Sequence, residues 1–375
     1  MDRITCEVRP NWQKRVEETG LVFHTLHGET YWDESVYYQF SSYQIDQLEL
    51  ATQTLHDMCI ELVEEIIEKR QFGLFMIPKE WENWIIESWE REDPSIYGRF
   101  DLAYDGVHPP KLLEYNADTP TALLEAAVTQ WYWLKDFDER ADQFNSIHEN
   151  LIEGWKAIHE RNDTPLYFAA MASLPEDYVT VEYLRDTAIQ AGFETHYLDI
   201  EQIGFNYQTN RFVHGDSGEP IEHLFKLYPW EWLIREEYGK FLQNSPLNWI
   251  EPPWKMLLSC KSILPLLWEK YPNHPYLLEA SFQPLAGRSY RKPIHAREGA
   301  NIALMIGDQV ENETAGPYDG PYVYQQIGPI KQTDGYFAVI GSWVIYGTAC
   351  GIGIREDSTQ ITQNTSRFVP HQLVN

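Results

Sequence analysis

Cysteine is scarce and scattered. Its four copies, Cys6, Cys59, Cys260 and Cys350, form no CxxC pair. That spacing offers neither a thiolate metal site nor a disulfide framework, and it points to a reduced, cytoplasmic setting. Long apolar runs are missing too. No stretch approaches the ~20 residues of a spanning helix, and the start MDRITCEVRP lacks the apolar core of a signal peptide, so no membrane partner is expected. Positive charge is in deficit: 29 Lys+Arg against 57 Asp+Glu leave a formal net charge of −28. A surface of that sign repels phosphate backbones, which excludes nucleic acid as a partner. Repeats, low-complexity segments and Pro/Ser-rich linkers are absent, so residues 1–375 read as one unit of packed parts. Also absent are HExxH, GxSxG, GxGxxG and a Walker loop. Zinc hydrolysis and acyl-enzyme catalysis therefore have no support.

What is present falls into three regions. In 1–163, the run IDQLELATQTLHDMCIELVEEIIEKR repeats apolar residues at helical spacing up to Arg70. A second helix follows Pro78, and TALLEAAVTQWYWLKDF and ADQFNSIHENLIEGWKAIHE read as two more. In 164–228, strand PLYFAAMA, helix VEYLRDTAIQAG and strand FETHYLDI form a βαβ-like unit, a small inserted α/β subdomain. In 229–375, strands such as YRKPI, YVYQQI and YFAVIGSWVIYG alternate with Gly and Pro turns, as in antiparallel sheets. The fold class is α+β.

The stretch RFDLAYDGVHPPKLLEYNADTP (99–120) carries the strongest local signal, Asp-Gly between two alternating runs. Pairing Tyr104 with Lys111 across a six-residue loop puts Asp101 opposite Glu114 and Arg99 opposite Asn116, all on one face. Two facing carboxylates repel, and removing either charge is expected to relieve the hairpin. A divalent cation would instead convert repulsion into attraction. An exposed hairpin with its acids in water fits the same spacing. Lys292, before Pro293 and the turn Arg297-Glu298-Gly299, suits a phosphate clamp, though an ordinary hairpin does as well. Lys261 stands at the start of an amphipathic helix, a place unfavourable to a cation unless an anion binds there. Glycines 351 and 353, two apart on a strand, suggest close approach of another group.

The runs GRFDLAYDG…LLEYNADTPT, SCKSILPLLW, KPIHAREGANI and YQQI, in this order, resemble the synthetase domain of the glutathionylspermidine synthase family. The resemblance covers about residues 10 to 370. It implies an ATP-grasp-like fold with antiparallel nucleotide-binding sheets and N-terminal helices. It also implies an ATP-dependent, Mg2+-dependent ligase joining a carboxylate to an amine through an acyl phosphate, with a glutathione-like peptide and a polyamine as the substrates. Carried over by position, Arg99 becomes the transition-state arginine, with Phe100 and Asp101 beside it against the nucleotide. Asp101, Glu114 and Asn116 become the metal ligands, and Lys261 and Lys292 the nucleotide-phosphate lysines. Glu298-Gly299 becomes the turn over the phosphates, and Gln325, Gln326 and Ile327 the strand that receives adenine. Arg297 and Arg355 resemble contacts of the acid or its phosphate. Thr119 and Thr121 stand where the family has glutathione-binding serines, and Glu176-Asp177 resembles an acidic pair for the polyamine. Between about 200 and 255 the resemblance assigns no substrate contact. The family's full-length enzyme adds an N-terminal amidase domain, whereas this chain starts at the synthetase, so no amidase activity is expected. An ATP-binding regulatory relative without turnover, or an acidic interaction protein, are the alternative readings.

Overall fold

The computed structural model describes residues 1–160 and 164–374. The expected boundary between the first two regions, at 163, therefore lies outside the described residues. Helix Ser42–Glu68 begins earlier than its apolar periodicity suggests. Ser41 accepts from the Gln44 amide while the Gln44 side chain accepts from Ser41, a capping box that sets the start. One stripe of this helix, including Leu48, Leu55 and Leu62, packs with Phe100, Leu102, Ile340 and Ile352. Those four residues belong to an antiparallel sheet in which strands Arg367–Val369, Thr348–Asp357, Tyr336–Ile345, Tyr97–Ala103 and Lys111–Asn116 lie side by side. The helix thus covers one face of the sheet. On strand Tyr97–Ala103, the residues between the packed ones point to the other face.

A second antiparallel sheet orders Ala280–Ser281, Tyr322–Gln326, Arg288–Pro293, Ala303–Ile306 and Gln309–Glu313. A parallel sheet orders Asn248–Ile250, His223–Leu227, Leu166–Ala170 and Thr195–Asp199, with helix Pro175–Gln190 crossing between the last two. Its first strand comes from beyond 228, so this sheet is not confined to 164–228. Two helices differ from the sequence expectation. TALLEAAVTQWYWLKDF includes a π turn over Glu125–Thr129 before helix Gln130–Phe137, and the helix expected from 141 begins at Ile147. Glycines 351 and 353 meet the chain's own core: an added Cβ would lie 2.7 Å from Ile147 Cγ1 and 2.7 Å from Phe368 Cζ, respectively.

Two buried lysines tie the first hairpin to the rest. Lys255 Nζ donates to the carbonyls of Tyr97 (2.8 Å) and Ala117 (2.9 Å), one at each end of the hairpin, and pairs with Glu251 at 3.1 Å. Glu251 Oε1 in turn accepts from the amides of Ile96 and Tyr97. Just beyond, Asp118 pairs with Lys226 of the parallel sheet at 2.6 Å, and its other oxygen accepts from the Trp230 amide. The Lys226 and Asp118 side chains are 0% and 1% exposed. Such a pair gains little over an apolar one, but breaking it strands a charge in a dry interior. Lys226→Met is therefore expected to cost about 3–5 kcal/mol in urea unfolding. Combining it with Asp118→Asn should cost less than the sum of the single changes, because the stranded charge is gone.

Candidate active site

The hairpin pairs Arg99 with Asn116 and Asp101 with Glu114, the register expected at these positions. Nearer the turn it differs: Ala103, not Tyr104, faces Lys111, and a bulge between Asp101 and Leu102 absorbs the extra residue on the opposite strand. The bulge has a use. The Leu113 carbonyl accepts from Lys292 Nζ at 3.0 Å, and the neighbouring Leu112 carbonyl from Gln325 Nε2 at 2.9 Å. Gln325 Oε1 also accepts from Lys292, at 2.7 Å. The second antiparallel sheet is thereby joined to the hairpin at the site.

Each carboxylate has a cation of its own. Arg99 grips Asp101 through Nε (2.7 Å) and Nη2 (3.1 Å), while Nη1 donates to the Thr121 carbonyl. Lys261 Nζ lies 2.9 Å from Glu114 Oε2 and donates to the Ala296 carbonyl, and Asn116 donates to Glu114 Oε1. Burial alone would push the Glu114 carboxyl up, but the ammonium groups of Lys261 and Lys292 hold it down at about 2. For Asp101 burial prevails over Arg99, and its pKa rises. Burial lowers Lys292 to about 8 despite Glu114 nearby. The expected relief on removing a carboxylate is thus corrected. The facing acids are already neutralised, and losing one leaves a buried cation unpaired.

The face opens into two adjoining spaces that share Asp101, Glu114, Gly299 and Thr362. The larger, of about 180 Å³, is polar and includes Arg99, Asn116, Thr119, Thr121, Glu176, Asp177, Arg297, Glu298 and Arg355. The smaller, of about 80 Å³, has Lys261 and Lys292 at the carboxylates and apolar walls from Leu113, Tyr290, Ile302, Ile330 and Val339. Those walls escaped the sequence reading.

Four of the expected nucleotide contacts are placed otherwise. Phe100 alternates to the far face and stacks on Tyr115, with ring centroids 3.7 Å apart, so its side chain serves the core. The Gln325 side chain is spent on Lys292 and Leu112, and Gln326 is exposed with its amide bonded to the Glu279 carbonyl. Ile327 packs with Tyr290, Ala296 and Ile302 behind the smaller space.

Arg297 and Arg355 line the larger space but are already engaged. Arg297 pairs with Glu231 at 2.7 Å and donates to Thr119 Oγ1 at 2.6 Å. No motif pointed to Glu231. Arg355 donates to the carbonyls of Gln363, Asn364 and Ser366, holding the segment that roofs the cleft. Gly299 lies under this roof with φ 69°, and an added Cβ would sit 2.3 Å from the Thr362 carbonyl oxygen. Opposite the cations, Glu176 and Asp177 occupy the first turn of helix Pro175–Gln190. Burial, then the charges of Glu176 and Glu298, raise Asp177 to about 7, and burial raises Glu298 as well. The cleft is therefore positive at the hairpin and negative at the far end.

No group of three His, Cys, Asp or Glu side chains among the described residues is arranged to hold a metal ion. Asp101, Glu114 and Asn116 offer two carboxylates and one amide on one face. That set fits Mg2+, which takes few protein ligands and completes its octahedron with water and phosphate oxygens.

A family model described as "Glutathionylspermidine synthase preATP-grasp" matches residues 3–374. The chain is 40% identical over 394 aligned residues to a Haemophilus influenzae protein named "Putative acid--amine ligase", with all of both chains covered. It is 28% identical to trypanothione synthetase of Crithidia fasciculata, over 84% of this chain and 53% of that one. It is 26% identical to the bifunctional glutathionylspermidine synthetase/amidase of Escherichia coli, over 89% of this chain and 58% of that one. The chain thus spans a little over half of these last two relatives. A glutathione synthetase-like effector from Globodera pallida shares the fold, with a TM-score of 0.58 at 9% identity over 97% of this chain and 96% of that one.

The depressed Glu114 carboxyl has a consequence for acid stability. Its folded value of about 2 lies below the ordinary 4.5, so its contribution is complete above about pH 4.5 and is lost as pH falls toward 2. Glu114→Gln should lower the melting temperature at pH 7 and flatten the loss between pH 4.5 and 2. A melting temperature that rises at pH 7 would favour relief of repulsion instead.

Proposed function

The chain belongs to the glutathionylspermidine synthase family of ATP-dependent amide-bond ligases, and from that premise we propose that its cleft joins a peptide-like carboxylate to an amine through an acyl phosphate, on an ATP-grasp scaffold. One observation carries the reading. A carboxylate pair with Arg99, Lys261 and Lys292 around it stands where an apolar space meets a polar, oppositely charged cleft. Adenine suits the apolar walls, and the two lysines suit the phosphates. Asp101, Glu114 and Asn116 would hold Mg2+, which when bound supplies charge neutralisation of the phosphates.

In the first step a carboxylate oxygen of the acid attacks the terminal phosphorus of ATP, and the bond to ADP breaks. In the second, the amine nitrogen attacks the acyl carbon, the amide forms, phosphate leaves, and the ammonium proton is lost. Arg99, beside the hairpin acids and 5.9 Å from the Trp343 ring, would stabilise the charge that develops on the transferring group. Thr119 and Thr121, with Arg297, face the acid. Glu176 and Asp177 face the amine and favour a cationic one. The test is ADP release across a matrix of small peptides and amines, with mass detection of the condensed product. Release that no acid and amine pair stimulates would reject the ligase reading.

The roles of the cations separate in kinetics. Arg99→Ala should lower turnover by roughly 10²–10³-fold with little change in nucleotide affinity, since its contribution is made in the transition state. Lys292→Ala should instead weaken nucleotide binding, and wild-type affinity should fall as pH rises through about 8, where Lys292 loses its proton. A purely KM-type effect from both changes would count against this division.

The acidic end gives a second test. Asp177 ionises as pH rises through about 7, so the amine KM should fall over that range while the amine stays protonated. Glu176→Gln with Asp177→Asn should raise the amine KM, abolish that pH dependence and spare ATP binding. The effect should shrink at high ionic strength, where screening weakens the attraction. A double variant that uses amines as the wild type does would remove the acidic pair from the amine site.

A further inference from the structure

Residues 200–249, to which the family resemblance gave no contact, enclose a separate cavity of about 290 Å³ with Met171. That volume is near the lower end of the ~300–1,000 Å³ of small-molecule sites. Its walls include Ile203, Phe212, Leu233, Leu242 and Trp249. Trp249 is buried, and its indole Nε1 has no hydrogen-bond partner among the described residues.

The cavity adjoins the cleft. Met171 and Tyr228 border both spaces. Tyr228 is held at this partition by Glu236, whose Oε1 accepts from its hydroxyl at 2.6 Å. Met171 is unbranched and repacks readily. At the rim stand Glu201, Glu236 and Glu237, all exposed, and none of the three is ion-paired among the described residues. Their charge disfavours an anionic occupant such as a fatty acid and favours one that arrives with a cation.

We infer that this cavity is a subsite for an apolar arm, alkyl or aryl, of the amine substrate, reached from the cleft past Met171 and Tyr228. The inference rests on the ligase reading for the identity of the ligand, not for the cavity itself. The amine would sit against Glu176 and Asp177, and the apolar arm would fill the space between Ile203 and Leu233.

The probe is a series of n-alkylamines, propylamine to octylamine, titrated calorimetrically into the full chain without ATP. The dissociation constant should fall about three- to fourfold per methylene until the cavity is full. Leu233→Trp fills the cavity from one side and Ile203→Phe from another. Either should abolish the gradient while leaving propylamine binding and the melting temperature as in the wild type, and the two variants guard against one failing to fold. Affinity that does not depend on chain length, or a gradient undiminished in both variants, overturns the subsite. ADP release in the presence of each amine and a panel of acids reads the ligase separately. Its absence with every amine, beside an intact gradient, overturns the ligase reading and not the occupancy of the cavity.

Discussion

Lys255 is almost wholly buried, yet it bonds to both strands at the open end of the hairpin that carries the cleft's charges. By donating to Tyr97 and Ala117 it sets the separation of the two strands where they leave the ladder. Lys226 then fixes the next residue, Asp118, to the parallel sheet. The hairpin's sheet and the parallel sheet meet at this point, and their relative placement depends on two desolvated ammonium groups. The energy of such pairs is mostly a penalty for their absence rather than a gain from their presence. What they supply is one arrangement in place of several. Thr119 and Thr121 follow directly, as does the wall around Trp230, so the polar space inherits its shape from charges that do not line it.

The cleft divides its ligands by charge. Around Glu114 the cations outnumber the acids, to the point that burial cannot raise the carboxyl. Toward Glu176, Asp177 and Glu298 the balance reverses, and burial with the neighbouring acids raises the pKa of Asp177 and of Glu298. An anion and a cation brought into one cleft would each be drawn to its own end. That division fits the proposed joining of a carboxylate to an amine. The engaged states of Arg297 and Arg355 fit this picture, because both arginines hold walls of the cleft with hydrogen bonds that leave part of the guanidinium facing it.

The hairpin was legible because its information is local. Asp105-Gly106 marks the turn, and alternation of period two then fixes which residues share a face. The antiparallel strands from Tyr290 onward were legible for the same reason. Lys226, Lys255 and Glu231 were not, since a lone charged residue in a polar sequence looks like any surface residue until a distant partner is known. The sequence separations are 108 from Lys226 to Asp118 and 66 from Arg297 to Glu231. The misplaced contacts have another cause. Phe100 lies between Arg99 and Asp101, and the strand period of two turns its side chain to the opposite face. The resemblance implied an adenine contact for Gln325, but its side-chain amide is bonded to Lys292 and to the Leu112 carbonyl. The strand Asn248–Ile250 escaped because three residues carry too little periodicity to distinguish a strand from a loop.

The bulge at Leu113 separates two kinds of tolerance. On its turn side, the loop 105–110 can gain or lose residues, and the misfit is confined to the short pairing of Ala103 and Leu102 with Lys111 and Leu112. On its other side the side-chain period of two is unforgiving, since a slip of one residue would send Glu114 to the core and Tyr115 to the cleft. Leu113 therefore acts as an expansion joint. Its deletion would transmit every change in the loop to the carboxylates, whereas its presence lets the loop drift in sequence and length while the charged face keeps its register. The least conspicuous residue of the hairpin, an apolar one with no charge to offer, is the one that makes the charged residues heritable as a set.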